Sequence, residues 1–102
     1  MPAYKMTPSN AQLAMQVLLA AGQAKQALLQ AIAAHQHGQT LNLQPGHHHL
    51  VTAHQAQNQL TARLADQQQS PDVLTCHAMD TLMAVESNYE LVQALLSDSS
   101  AC

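Results

Sequence analysis

The chain has no tryptophan and no phenylalanine, and only two tyrosines among its 102 residues. Large sheet cores draw on aromatic and β-branched side chains. Here an apolar content of 47% falls on Ala, Leu, Met and Val, which argues against a large sheet core and for closely packed helices. Charge is scarce as well, most of all positive charge. Lys5, Lys25 and Arg63 stand far apart, and the net charge is −3. No basic patch tracks a phosphate backbone, so a nucleic-acid partner is not expected. The same lack argues against a membrane-surface role. Two cysteines, Cys76 and Cys102, supply neither a disulfide framework nor a cysteine-ligated zinc site. The N-terminus lacks the basic-then-apolar order of a secretion signal. The longest uninterrupted apolar run is far too short to cross a bilayer. A cytoplasmic protein without direct membrane insertion is expected. A Gly-rich phosphate loop, CxxC, HExxH and a nucleophile elbow are also missing.

What remains is helical punctuation. Residues 1–102 read as one all-α domain with helices over about 10–37, 46–66 and 71–97 and a polar tail at 98–102. Ser9 with Gln12 three residues later forms a capping box at the start of the first helix. Leu13, Val17, Ala20, Ala21, Ala24, Leu28, Ala31 and Ile32 follow helical spacing. Gly22 sits mid-helix, where its usual benefit is close helix approach, and Gly38 is a stop signal. Residues 38–46, "GQTLNLQPG", read as a connection. The second helix has an inner stripe of Leu50, His54, Gln57, Thr61 and Leu64, more polar than simple core. Ser70 as N-cap, Pro71 at the first helical position and Asp72 start the third helix. Short connections imply a three-helix up-down-up antiparallel bundle.

The third helix carries two stripes. Leu74, Ala78, Leu82, Val85, Tyr89, Val92 and Leu96 form the expected core seam. Roughly a quarter turn away lie Val73, His77, Asp80, Ala84, Leu91 and Leu95. A three-helix bundle needs one buried seam per helix, so the second predicts self-association. Copies of Asp80 would meet around a symmetry axis. Like charges stay close only with a cation bound or a proton shared.

Among the histidines, His77 has the most chemical promise. A histidine on a helix is ordinarily a hydrogen-bonded structural group. Here Asp80 shares its face at i+3, and the residues that follow are apolar. A neutral imidazole nitrogen accepts a phosphoryl group without needing a general base. Cys76 and His77 diverge as helix neighbours and form no dyad. His54 and Gln57 repeat the i, i+3 pattern and, if buried, need partners or a role. His47, His48 and His49 point in different directions, so one metal cannot easily use all three, and they read as a polar helix start. His35 and His37 read as surface residues, favourable to the helix dipole when charged.

The stretch "CHAMDTLM" resembles the IIA component of the lactose/cellobiose-type bacterial sugar phosphotransferase system, which typically shows "VHAQDHLM". "AGQAKQALLQAIAAHQHG" is similar to the family's glycine-terminated first helix, and "AHQAQNQL" to its second-helix motif. The resemblance spans about residues 10–97. It implies a homotrimer in which His77 accepts a phosphoryl group from HPr. His77 would pass it to a cysteine of the IIB component, indirectly serving the membrane IIC component. It implies that Asp80 meets its symmetry mates around a divalent cation, magnesium by preference. It implies that His54 and Gln57 line the site from a neighbouring subunit. Two positions depart from the pattern: Met79 replaces the usual Gln, and Thr81 the usual His. The connection between Gly38 and His54 is also about one helical turn shorter than usual. The departures motivate an alternative, a non-catalytic trimeric helical interaction module that keeps the fold without transfer. A third reading is a zinc or nickel binder that uses His47 and His49.

Overall fold

A computed structural model describes residues 7–96. These residues form three helices, α1 (Asn10–Gln36), α2 (Gln44–Gln67) and α3 (Val73–Leu96), with no strand among them. The expected polar tail, Cys102 and Lys5 lie outside the described residues. The molecule measures 56 × 34 × 19 Å. α1 packs along both α2 and α3, whereas α2 and α3 scarcely meet. The bundle is therefore close to a single layer with α1 in the middle.

Both ends of α1 are written in the sequence. The Ser9 hydroxyl accepts from the Gln12 N–H at 3.0 Å, and the Gln12 side chain accepts from the Ser9 N–H at 2.8 Å. This is the expected capping box. At the other end Gly38 adopts φ +96°. Its N–H donates to His35 O at 3.0 Å, and the Gln39 N–H donates to Ala34 O at 3.1 Å. These paired bonds satisfy carbonyls that the helix leaves open. The chain then reverses, so α2 runs antiparallel to α1. Asn10 donates to Gln67 at 3.0 Å, and Arg63 donates to the Pro8 carbonyl, tying the start of α1 to the end of α2.

The core is one cluster rich in alanine. Leu13, Ala14, Val17, Ala21 and Ala24 of α1 meet Ala53 and Leu60 of α2 and Ala78 and Leu82 of α3. Small side chains let helix axes approach, and the leucines fill the gaps between them. Along α3 the expected seam holds: Ala78, Leu82, Val85 and Tyr89 are buried, and Leu74 and Val92 pack at its edge. Thr75 is buried as well.

Several local expectations are corrected. α2 begins at Gln44, so Pro45 and Gly46 lie in its first turn and not in the connection. Proline suits that turn because its missing N–H would have had no helical partner there. Gly46 is buried against Tyr89, whose hydroxyl donates to Ala24 O at 2.5 Å. Burial pushes the Tyr89 phenol pKa up and keeps it a neutral donor. A Cβ at position 46 would collide with the Tyr89 ring. Gly46→Ala should therefore destabilise the fold by about 1–3 kcal/mol, the usual cost of overpacking. Urea unfolding tests this, and an unchanged midpoint would show that Tyr89 yields freely. Gly22, by contrast, is exposed and meets nothing within 4 Å, so it mediates no helix approach among the described residues.

The inner stripe of α2 is Leu50, Ala53, Ala56, Leu60 and Leu64. His54 and Gln57 are half-buried at its edge, and Thr61 is exposed. α3 starts at Val73, and its cap is Asp72, not Ser70: the Thr75 N–H donates to Asp72 Oδ1 at 2.8 Å. That backbone bond, with the Thr75 hydroxyl adding to it, holds the Asp72 carboxyl below its ordinary pKa. A carboxylate depressed in the folded state adds stability above its unfolded pKa, and that stability is lost as pH falls through the folded value. Asp72→Ala should therefore lower Tm at neutral pH, and the deficit should shrink on acidification below the carboxylate range. Thermal melts across that range measure it. A deficit independent of pH would mean that the charge contributes nothing.

α1 is long enough and apolar enough, by length and composition, to span a bilayer, which the length of an uninterrupted run did not suggest. The central helix of a helical core has the same composition.

Candidate functional site

His77 lies one turn into α3 and is exposed. Asp80 is exposed on the same face. Around them lie Val73, 86% exposed, and Ala84, with Leu91 and Leu95, 58% and 77% exposed, further along. At about 100° per residue this stripe stands some 120° from the core seam, further round than a quarter turn. It points away from α1 and forms an unpartnered apolar face with one imidazole and one carboxylate set into it. Met79 and Thr81, beside them, are half-buried.

No ion pair joins His77 to Asp80 within the chain. The ion pair present among the described residues is His54 Nε2 with Glu86, across the narrow contact between α2 and α3. Glu86 was not among the sequence candidates. No pattern in the sequence marks it, because which α3 residue meets His54 depends on the register between two helices. Gln57, on the same edge as His54, has a buried Oε1 without a partner. Glu86 is nine residues beyond His77, about 13 Å along the helix axis. The chain by itself therefore does not bring His54 to His77.

At the far end of the bundle, a cleft of about 680 Å³ opens between the end of α1, residues 38–43, the start of α2 and the end of α3. His35 and His47 both line it. His35 is half-buried, and its Nδ1 is bonded to Gln39 O at 2.9 Å, so it is more engaged than a plain surface residue. The His47 ring lies against Tyr89, with centroids 5.5 Å apart. Among the described residues, no three His, Cys, Asp or Glu side chains gather closely enough to hold one ion. The His47-His48-His49 run thus forms no ready tetrahedral centre, because its rings diverge around the helix.

Comparison with protein families matches residues 12–98 to the family described as the PTS system, lactose/cellobiose specific IIA subunit. The chain belongs to that family. The match takes in all of α3 and every candidate residue named above. Family membership carries the role of a phosphoryl carrier in phosphotransferase-driven sugar uptake, and IIA domains are generally soluble and cytoplasmic. No curated protein and no solved structure matches the chain.

Proposed function

We propose that this IIA subunit carries a phosphoryl group on His77, accepting it from HPr and delivering it to a cysteine of a IIB component. The observation that carries the reading is the exposure of His77 on a face of α3 with apolar neighbours and, among the described residues, no partner for its ring. A carrier must meet two different proteins with one side chain, so an open, unpaired imidazole suits it. A ring nitrogen attacks phosphorus with its lone pair. One P–N bond forms as the P–N bond to the donor histidine breaks. In the second transfer a thiolate of IIB takes the phosphoryl group and the His77 ring leaves. Such transfers need positioning and charge stabilisation more than covalent machinery. Apolar neighbours limit water and so protect the phosphohistidine from hydrolysis.

The exposed stripe of Val73, Ala84, Leu91 and Leu95 supports assembly into a homotrimer around α3. Three Asp80 carboxylates would then converge. Their oxygens suit a hard divalent cation, magnesium by preference, which neutralises their repulsion. Asp80 is assigned to assembly and metal binding, since a carboxylate repels an incoming phosphate. Trimer formation also offers a route by which His54 and Gln57 of one subunit approach His77 of the next. Incubation with phosphoenolpyruvate, enzyme I and HPr tests the reading, with an acid-labile phosphate on the chain as the expected product. Met79 and Thr81, standing where the family usually has Gln and His, favour one competing reading, a trimeric interaction module without transfer. That reading predicts a trimer that stays unlabelled.

A further inference from the structure

We infer a second metal site at the end of the bundle remote from His77, taking a borderline divalent ion such as Zn²⁺ or Cu²⁺ on His35 and His47. Gln93 marks the α3 wall of the cleft, sixteen residues from His77 and so about 24 Å along the axis.

The first support is the tautomer of His35. A backbone carbonyl only accepts, so the 2.9 Å contact with Gln39 O places the ring proton on Nδ1. Nε2 then holds the lone pair. A ring nitrogen bonded to a carbonyl, with the other left free, is the arrangement that prepares a histidine for a metal. The helix stop builds it. Gly38, at φ +96°, folds Gln39 back so that its N–H reaches Ala34 O and its carbonyl reaches His35. The second support is His47, which lines the same cleft with its ring held against Tyr89. The third is the local chemistry. Between Lys25 and Arg63 the sequence contains no Asp, Glu, Lys or Arg, and none lines the cleft. Without carboxylates the site does not suit magnesium or calcium, and without lysine or arginine nothing repels a cation or recruits an anion. Imidazole nitrogens select zinc and copper over hard ions. Two histidines supply the protein ligands and water completes the shell.

The inference is independent of phosphoryl transfer, and its test keeps them apart. Purified chain is titrated with Zn²⁺ and with Cu²⁺, and the copper form is examined by electron paramagnetic resonance. The expected result is saturable binding, with hyperfine structure from two imidazole nitrogens. His35→Ala and His47→Ala should each weaken binding by about tenfold or more. The double variant His48→Ala/His49→Ala should bind as wild type. Circular dichroism of each variant confirms its helices. Absence of saturable binding overturns the inference. So does binding that survives His35→Ala but disappears with His48 and His49, which would make the histidine run a simple chelator.

Discussion

His77→Ala should reduce HPr-dependent phosphorylation to the level seen without HPr. No other residue in the account is asked to hold the phosphoryl group, so the loss should be complete and not graded. The substitution is structurally mild. His77 is exposed, contributes nothing to the core, and alanine favours a helix more than histidine does. An unchanged helical signal with no labelling would separate lost chemistry from lost fold. Substantial labelling of His77→Ala would move the acceptor elsewhere. The pair His54–Glu86 would then be the first alternative, because a carboxylate on Nε2 leaves Nδ1 as a nucleophile.

Asp80→Leu should abolish divalent-metal binding at the proposed trimer axis while leaving the trimer assembled, or making it harder to dissociate. The sign follows from the desolvation of charge. Three carboxylates gathered on an axis lose water and repel one another, and a cation offsets that cost only while it is bound. Apolar side chains of similar size remove both the penalty and the need for the cation. Val73, Ala84, Leu91 and Leu95 would continue the same apolar surface. Sedimentation with and without a chelator checks the prediction. Wild-type trimers should loosen when the metal is removed, and Asp80→Leu trimers should not respond. Folded Asp80→Leu monomers would show instead that the metal is essential to assembly.

The legible parts of the fold were those set by local chemistry. Ser9 and Gln12 cap one another within four residues, and Gly38 supplies a left-handed turn that few other residues tolerate. The α3 seam was legible because its leucine, valine and tyrosine residues stand out from their neighbours. The stripe on α2 was not. Leu50, Leu60 and Leu64 appear in any helical reading, but a core filled by Ala53 and Ala56 does not announce itself against an alanine-rich background. Choosing His54 over Ala53 shifts the stripe by one residue and turns a surface edge inward. At the start of α3 the expected cap was Ser70, with Asp72 placed inside the helix. The residue that captured the Thr75 N–H was Asp72, set three residues before it. Gly46 misled for a different reason. Its sequence context, after Pro45, reads as a turn, while its use is to admit the Tyr89 ring, a contact made across the fold.

For the candidate site, the shared exposed face of its residues was legible and their partners were not. His77 and Asp80 were found from a spacing that one helix fixes by itself, and both lie exposed on one face. Glu86 against His54, and His35 and His47 lining one cleft, are meetings between different elements. Such meetings depend on register and tilt, which the periodicity of a single helix does not encode.

Locating the phosphate tests the central claim most directly. Chain phosphorylated by phosphoenolpyruvate, enzyme I and HPr is digested at neutral to alkaline pH, where phosphohistidine survives, and each histidine-containing peptide is sequenced by mass spectrometry. Phosphate is expected on His77 and on none of the other histidines. Phosphate on His54 or on the histidines at the far end of the bundle, or an unmodified chain alongside fully phosphorylated HPr, would contradict it.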